Sequence, residues 1–169
     1  MATRPNARLI RSDVVRKELA GLPADRSAAS EFREGLYAPE FTDRTYAECL
    51  RRAEEALFAG ECVIIDASFG DEKFRQQFLA AGRRWAVPAL FLLCEAQSQT
   101  VAKRLAARRG DPSDADWSVY LNAAKQWEPL SPETACRTRI IPTGDSAEAA
   151  EFVGWQTLCT EGLADGAAT

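Results

Sequence analysis

The sequence predicts an α/β domain: a mainly parallel sheet with helices on both faces. Three observations carry that expectation. Short apolar runs alternate along the chain with segments of helical periodicity, the pattern of successive βα units. The two middle runs, Cys62-Val63-Ile64-Ile65-Asp66 and Ala89-Leu90-Phe91-Leu92-Leu93-Cys94, are apolar at consecutive positions, as strands covered on both faces should be. The run at Leu9-Ile10 passes directly into Arg11-Ser12-Asp13-Val14-Val15-Arg16-Lys17-Glu18-Leu19, so a helix starts at the carboxyl end of a strand, where open α/β sheets place their chemistry.

The elements follow in order. A short strand spans Arg8 to Arg11, and Ser12 is placed to cap a helix from Asp13 to Ala20, with Gly21 to end it. Pro23 to Pro39 carries Gly, Ser and acidic residues and reads as a loop over one edge. A long helix follows from Pro39 to Ala59, closed by Gly60. The second strand is Cys62 to Asp66, the third Ala89 to Cys94 and the fourth Thr138 to Pro142. Between and after them, helical patterns cover Glu72 to Trp85, Ser98 to Arg109, Asp114 to Trp127 and Ala147 to Leu158. One domain over residues 1–160, incomplete at its amino terminus, and a disordered tail over 161–169 complete the plan. No internal repeat or low-complexity block interrupts it.

Composition bounds the function. At 169 residues the chain suffices for one domain that buries about two thirds of its unfolded surface. A net charge of −4 supplies no global attraction to nucleic acid or to an anionic membrane. The five cysteines, Cys49, Cys62, Cys94, Cys136 and Cys159, show no CxxC spacing, and several lie within apolar runs where they read as small buried hydrophobes. No apolar segment approaches a membrane span, so a reducing cytoplasm is expected. There is no histidine, which excludes Ser-His and Cys-His nucleophilic pairs and leaves Asp, Glu, Arg, Lys and hydroxyl groups for any chemistry.

Four segments carry such groups. Asp13 and Arg16 lie one helical turn apart on a shared face, as a base and its partner would; an ordinary surface ion pair has the same spacing. Asp66 ends a buried strand in Val63-Ile64-Ile65-Asp66-Ala67-Ser68. There a carboxylate meets a bound substrate or a hydrated magnesium ion, or simply opens a turn. Lys103-Arg104-Leu105-Ala106-Ala107-Arg108-Arg109-Gly110-Asp111-Pro112-Ser113-Asp114 is a basic helix end running into a loop. It fits a lid whose guanidiniums neutralise transferring phosphates, and equally arginines that complement a helix dipole. Thr143-Gly144-Asp145, at the end of the fourth strand, fits a wall for a nucleotide base or a plain βα turn.

Together these segments resemble the P-loop kinases of the polynucleotide 5′-kinase, gluconate kinase and zeta-toxin group over nearly the whole chain. Ser12-Asp13-Val14-Val15-Arg16 resembles the acceptor-site motif, Ile64-Ile65-Asp66-Ala67-Ser68 the strand end on the acceptor side, and Lys103-Arg104 through Arg108-Arg109-Gly110 the lid. The likeness is strongest to bacterial ATP-binding domains often fused to an aminoglycoside-phosphotransferase-like domain. It implies Asp13 as general base, Arg16 as its assistant, Asp66 on the acceptor or on magnesium, and Arg104, Arg108 and Arg109 with Thr143, Gly144 and Asp145 around the nucleotide. ATP and Mg2+ are the implied cofactors. A hydroxyl of a small molecule or of a nucleic-acid end is the implied acceptor.

The departure from the family pattern is as informative. Its members open with a strand, a GxxxxGK[ST] phosphate loop and a helix; Met1-Ala2-Thr3-Arg4-Pro5-Asn6-Ala7 stands in that place, and GxxxxGK[ST] occurs nowhere in the 169 residues. That piece normally supplies backbone N–H groups, a lysine and a hydroxyl to phosphates and magnesium. In the usual strand order it also fills the centre of the sheet, between the strand ending at Asp66 and the strand Ala89 to Cys94. The sheet is therefore expected to show a gap there, or to be completed by self-association or a partner domain. Three functions follow: a phosphotransferase whose loop comes from elsewhere, impaired as it stands; a non-catalytic relative that binds a phosphorylated ligand or pairs with an active kinase; or a degenerate product without activity.

Overall fold

The computed structural model describes residues 7–23, 38–108 and 116–164. Their order is β1 (Ala7–Arg11), α1 (Ser12–Leu19), α2 (Pro39–Phe58), β2 (Cys62–Asp66), α3 (Glu72–Arg84), β3 (Phe91–Glu95), α4 (Ser98–Ala107), α5 (Trp117–Gln126), α6 (Pro132–Cys136), β4 (Thr138–Pro142) and α7 (Ala147–Thr160). The architecture is α/β, and all strand pairing among the described residues is parallel.

The sheet is in two pieces. β1 pairs with β2 in the register Leu9↔Ile64 and Arg11↔Asp66, and β3 pairs with β4 in the register Phe91↔Thr138 and Glu95↔Pro142. No hydrogen-bonded pairing joins β2 to β3 among the described residues. Among the described residues the sheet is thus interrupted between these two pairs, as expected.

Helix ends follow local chemistry. Gly21 (φ 68°) and Gly60 (φ 78°) take the left-handed conformation after α1 and α2. In each case paired amide bonds close the last turn: Gly21 and Leu22 donate to Glu18 and Lys17, and Gly60 and Glu61 donate to Leu57 and Ala56. Ser12 does not cap α1. It is the first helical residue, and Arg11 occupies the cap position without a side-chain bond; the Asp13 carboxylate instead accepts from the Val14 amide at 2.9 Å.

Two apolar clusters hold the first half together. Ile10, Val15, Cys49 and Ala53 form one, with Val63, Ile65 and Phe78 packed against it. Tyr46, Phe69 and Phe74 form the other, flanked by Ile65, Phe78 and Phe91. Tyr46 stacks on Phe74 with centroids 3.8 Å apart, and Phe69 meets Phe91 edge-on at 5.1 Å. Phe91 begins β3, so this cluster fastens the second half-sheet to the first.

Several sequence expectations are corrected. β2 and β3 are not covered on both faces by the described residues: Ile64 is 51 % exposed and Leu92 36 %, and among those residues each strand is paired on one side only. β3 starts at Phe91 rather than Ala89, since its partner β4 begins at Thr138; Ala89 instead lies close against Gly82 of α3. Of the cysteines only Cys49 is buried, while Cys62, Cys94 and Cys136 are exposed and Cys159 is intermediate. The short helix α6 went unread, although Ser131 caps it through the Thr134 amide and Pro132 opens it. At the carboxyl end, α7 runs to Thr160 and Glu161 accepts from Arg139 at 2.7 Å, so order continues past residue 160; residues 165–169 lie outside the described residues. The body of the Pro23 to Pro39 loop, residues 24–37, also lies outside them.

Candidate functional site at the carboxyl ends of the strands

β1 and β2 end side by side, and their last residues, Arg11 and Asp66, are register partners. Arg11 reaches both predicted carboxylates. Its Nη2 donates to Asp13 Oδ2 at 2.7 Å and its Nε to Asp13 Oδ1 at 3.2 Å, while Nε lies 3.6 Å from Asp66 Oδ2. Asp13 and Asp66 therefore meet at one edge of the sheet, gathered by an arginine that sequence reasoning had not assigned to the site. Arg16 turns to α2 and donates to Thr42 Oγ1 at 3.2 Å.

The loop after β2 is held from below. Phe69 sits at φ 47°, a strained conformation for a bulky residue, and the surroundings fix it there. Its amide donates to the Tyr46 hydroxyl at 2.9 Å, and that hydroxyl lies 3.4 Å from Ser68 Oγ. Burial pushes the Tyr46 phenol up from its ordinary value, which keeps it protonated. Arg75, 1 % exposed, donates to the carbonyls of Phe69, Gly70, Glu128 and Pro129 and pairs with Glu72 at 2.5 Å. Burial works against the Glu72 carboxylate, yet hydrogen bonds from Ser131, Thr134, Gln76 and Arg75 hold its pKa at about 2. This buried network fixes the segment that carries Asp66 and Ser68.

The second half-sheet carries the other predicted residues. Arg104 of α4 donates to the Asp145 carbonyl at 2.9 Å, which ties the basic helix to the Thr143-Gly144-Asp145 turn. Thr143 in turn bonds through its amide (2.7 Å) and hydroxyl (3.0 Å) to the Glu95 carbonyl at the end of β3. Arg108 is exposed at the end of α4, and Arg109 lies outside the described residues. The two groups stand on opposite sides of the open seam, close enough that Asp66 at the end of β2 helps raise the thiol pKa of Cys94 near the end of β3, behind burial as the larger cause.

A metal finds little here. Among the described residues no three His, Cys, Asp or Glu side chains come together as a metal cage, and the Arg11 guanidinium already stands beside Asp66. An open cleft of about 620 Å³ lies on the other side of β1, between α1 and α2, lined by Arg8, Arg11, Arg52, Glu18, Glu55 and Glu61. Arg8 pairs with Glu61 at 2.9 Å and Arg52 with Glu18 at 2.7 Å, so the cleft walls are largely self-neutralised. No described helix is long and apolar enough to cross a membrane.

Comparison with known proteins agrees with this architecture. Residues 1–130 match the family model described as AAA domain. The uncharacterized proteins Rv2004c of Mycobacterium tuberculosis and Mb2027c of Mycobacterium bovis are 32 % identical to the chain over 113 residues, covering 64 % of it. The chain spans 22 % of the length of these relatives. The structure of the Deinococcus radiodurans tunicamycin resistance protein superposes with a TM-score of 0.53 and 12 % identity over 91 % of this chain and 84 % of that one. The parallel strands, the site at their carboxyl ends and the family match lead to one assignment: the chain belongs to the AAA domain family and has a P-loop-kinase-like fold.

Proposed function

We propose that the chain carries the acceptor and lid sides of an ATP-dependent phosphotransferase acting on a hydroxyl of a small molecule or a nucleic-acid end. The observation that carries this reading is the gathering of Asp13 and Asp66 by Arg11 at the carboxyl edge of β1 and β2. Asp13 is the general base. Its carboxylate must exchange the Arg11 guanidinium for the incoming hydroxyl, after which Arg11 and Arg16 hold the acceptor by charge. Asp66, exposed at the strand end, faces the acceptor or a water shell around magnesium. Arg104, Arg108 and Arg109 meet the donor phosphates, and Thr143 to Asp145 border the nucleotide base.

These residues fit the nucleotide in part. The lid arginines match its phosphates, but Asp66 beside Arg11 is a poor resident site for Mg2+, so the ion fits only as a companion of the nucleotide. The 169 residues contain no GxxxxGK[ST] cradle, and a cradle of backbone amides contributes much of the donor binding in such enzymes. Titration of the chain with ATP and magnesium should therefore give a dissociation constant of about a millimolar or weaker. Adding a strand, a GxxxxGK[ST] loop and a helix ahead of Asn6 should tighten binding and create phosphoryl transfer to a hydroxyl acceptor that Asp13→Asn abolishes. Micromolar ATP binding by the chain itself, or transfer that survives Asp13→Asn, overturns the assignment of the missing loop or of the base respectively.

A second reading rests on the same bond. Asp13 held at both oxygens by Arg11 is a neutralised carboxylate, as a non-catalytic relative would have it; such a domain would bind a phosphorylated ligand through its arginines or pair with an active kinase. Absence of transfer in the completed protein, with phosphate ligands still bound, would favour it.

A further inference from the structure

We propose that the acceptor is an anionic hydroxy compound, one that carries a carboxylate or phosphate group beside its hydroxyl, and that this anion takes the Arg11 guanidinium and so uncovers Asp13. The inference rests on the phosphotransferase reading and narrows it. The base is covered in the structure. Asp13 Oδ1 accepts from the Val14 amide at 2.9 Å and from Arg11 Nε at 3.2 Å, and Oδ2 accepts from Arg11 Nη2 at 2.7 Å. Oδ1 therefore has a donor for each of its lone pairs, and Oδ2 is held by the shortest of the three bonds. The pair is also shielded, with the side chains of Arg11 and Asp13 29 % and 24 % exposed. Charge-assisted bonds are roughly twice as strong as neutral ones, so a neutral hydroxyl does not compensate for a two-pronged guanidinium bond.

A second oxyanion does compensate. Carboxylate and phosphate both present two oxygens that match the Nε–Nη2 edge now engaged by Asp13, so the guanidinium changes partner without standing uncompensated in a shielded site. Asp66 keeps Arg11 at the strand ends during the exchange: the two are register partners, and Asp66 Oδ2 lies 3.6 Å from Arg11 Nε. The Asp66 side chain is 63 % exposed, so the place where Arg11 is anchored borders solvent, from which the anion arrives. Neighbouring arginines are matched elsewhere, Arg8 with Glu61 at 2.9 Å and Arg52 with Glu18 at 2.7 Å in the outer cleft. The arrangement selects by charge. Water and neutral alcohols have no anion to offer Arg11, and they meet a covered base.

The exchange of partners is tested without phosphoryl transfer. Glycerol, glycerate and glycerol phosphate share a hydroxyl framework and differ in the anion. Each is titrated into the full chain in a phosphate-free buffer of low ionic strength, with the Arg11 Nε–H resonance followed by NMR. At least one of the two anions should bind about tenfold or more tightly than glycerol and shift that resonance, and the tighter of the two identifies the group as carboxylate or phosphate. Asp13 competes with the anion for Arg11, so Asp13→Asn should tighten anion binding by about fivefold or more, a gain that a merely structural role of Asp13 does not produce. Arg11→Gln should abolish the preference over glycerol, and Arg8→Gln, in the outer cleft, should leave it unchanged. Anions that bind no more tightly than glycerol overturn the proposal. Anion binding that Asp13→Asn leaves unchanged or weakens does so too, and this readout decides the matter even where Arg11→Gln fails to fold. In the protein completed with GxxxxGK[ST], transfer to glycerol as efficient as to the anionic compounds would overturn the anionic class and keep the phosphotransferase reading. Arg11-dependent anion binding without any transfer would keep the anion site and remove that reading.

Discussion

The two half-sheets are built alike and buried unlike. Around β1 and β2, helices α1, α2 and α3 bury Val15, Tyr46, Cys49, Ala53, Phe74 and Leu79; of the helices that follow β3 in the chain, α4, α5 and α7 contribute no fully buried residue. The first half has its own core, and the second leans on it through Phe91, through α6 and through the Glu128-Pro129 segment that Arg75 grips. The same chain thus holds a self-sufficient β1–β2 half and a dependent β3–β4 half. The difference teaches that a sheet interrupted at its centre does not weaken both sides equally: the side with helices packed on one another keeps its core.

The substitution expected to break this comparison most severely is Arg75→Met. It removes the guanidinium that satisfies four carbonyls and the Glu72 carboxylate in a fully buried setting, and breaking a buried ionic network of this kind costs about 3–5 kcal/mol. Urea unfolding should show that loss, together with earlier unfolding of the β3–β4 half in amide exchange. A change below about 1 kcal/mol would mean that the halves are joined chiefly by the aromatic cluster instead. Next in size is Val15→Ala, which leaves a void at a residue 1 % exposed and should cost about 2–3 kcal/mol with both halves affected.

Acid tests the same joint by a different route. Glu72, between α3 and α6, has its pKa held at about 2, as does Glu48, where Arg51 and Arg52 lower it. The sign follows from linkage. A folded pKa below the unfolded value gives stability that is full above the unfolded pKa, near 4.5, and is lost as pH falls toward 2. Stability measured by urea unfolding should therefore decline through that window, and Glu72→Gln should flatten part of the decline. An identical pH profile in Glu72→Gln would remove Glu72 from the joint. Tyr46→Phe is smaller, about 1 kcal/mol, because it withdraws only the hydroxyl that accepts the Phe69 amide; the freed loop should show in faster exchange at Phe69.

Much of this was legible in the sequence, for local reasons. Cys62 to Asp66 and Thr138 to Pro142 announce themselves as strands by β-branched and apolar runs between turns, and Gly21 and Gly60 announce the helix ends they form by left-handed geometry. The meeting of Asp13 with Asp66 followed from placing each at a strand's carboxyl end. What escaped was non-local. Arg11 reads as the last residue of a strand until register sets it beside Asp66, Tyr46 as one more apolar helix position until Phe69 arrives over it, and Arg75 as a surface charge until residues 128 and 129 fold back onto it. The exposure of Ile64 and Leu92 escaped for a different reason: apolar runs record the cover a strand is suited to, whether or not that cover is present.

The smallest expected effect sharpens the contrast best. Arg104→Ala removes one exposed hydrogen bond, from the guanidinium to the Asp145 carbonyl, and α4 buries nothing that the change would disturb. Water replaces a bond at an exposed site at little cost, so unfolding stability should change by less than about 0.5 kcal/mol. On the function proposed above, the effect of the change falls on ligand binding. In the protein completed with a GxxxxGK[ST] segment, loss of this proposed donor-phosphate cation should weaken ATP while leaving AMP, which lacks the outer phosphates, almost unaffected. Equal weakening of both nucleotides would place Arg104 on the base or sugar side through the Thr143 to Asp145 turn. A stability loss above about 2 kcal/mol would show instead that the β3–β4 half is knit through this bond, and that its exposed helices understate how firmly it is held.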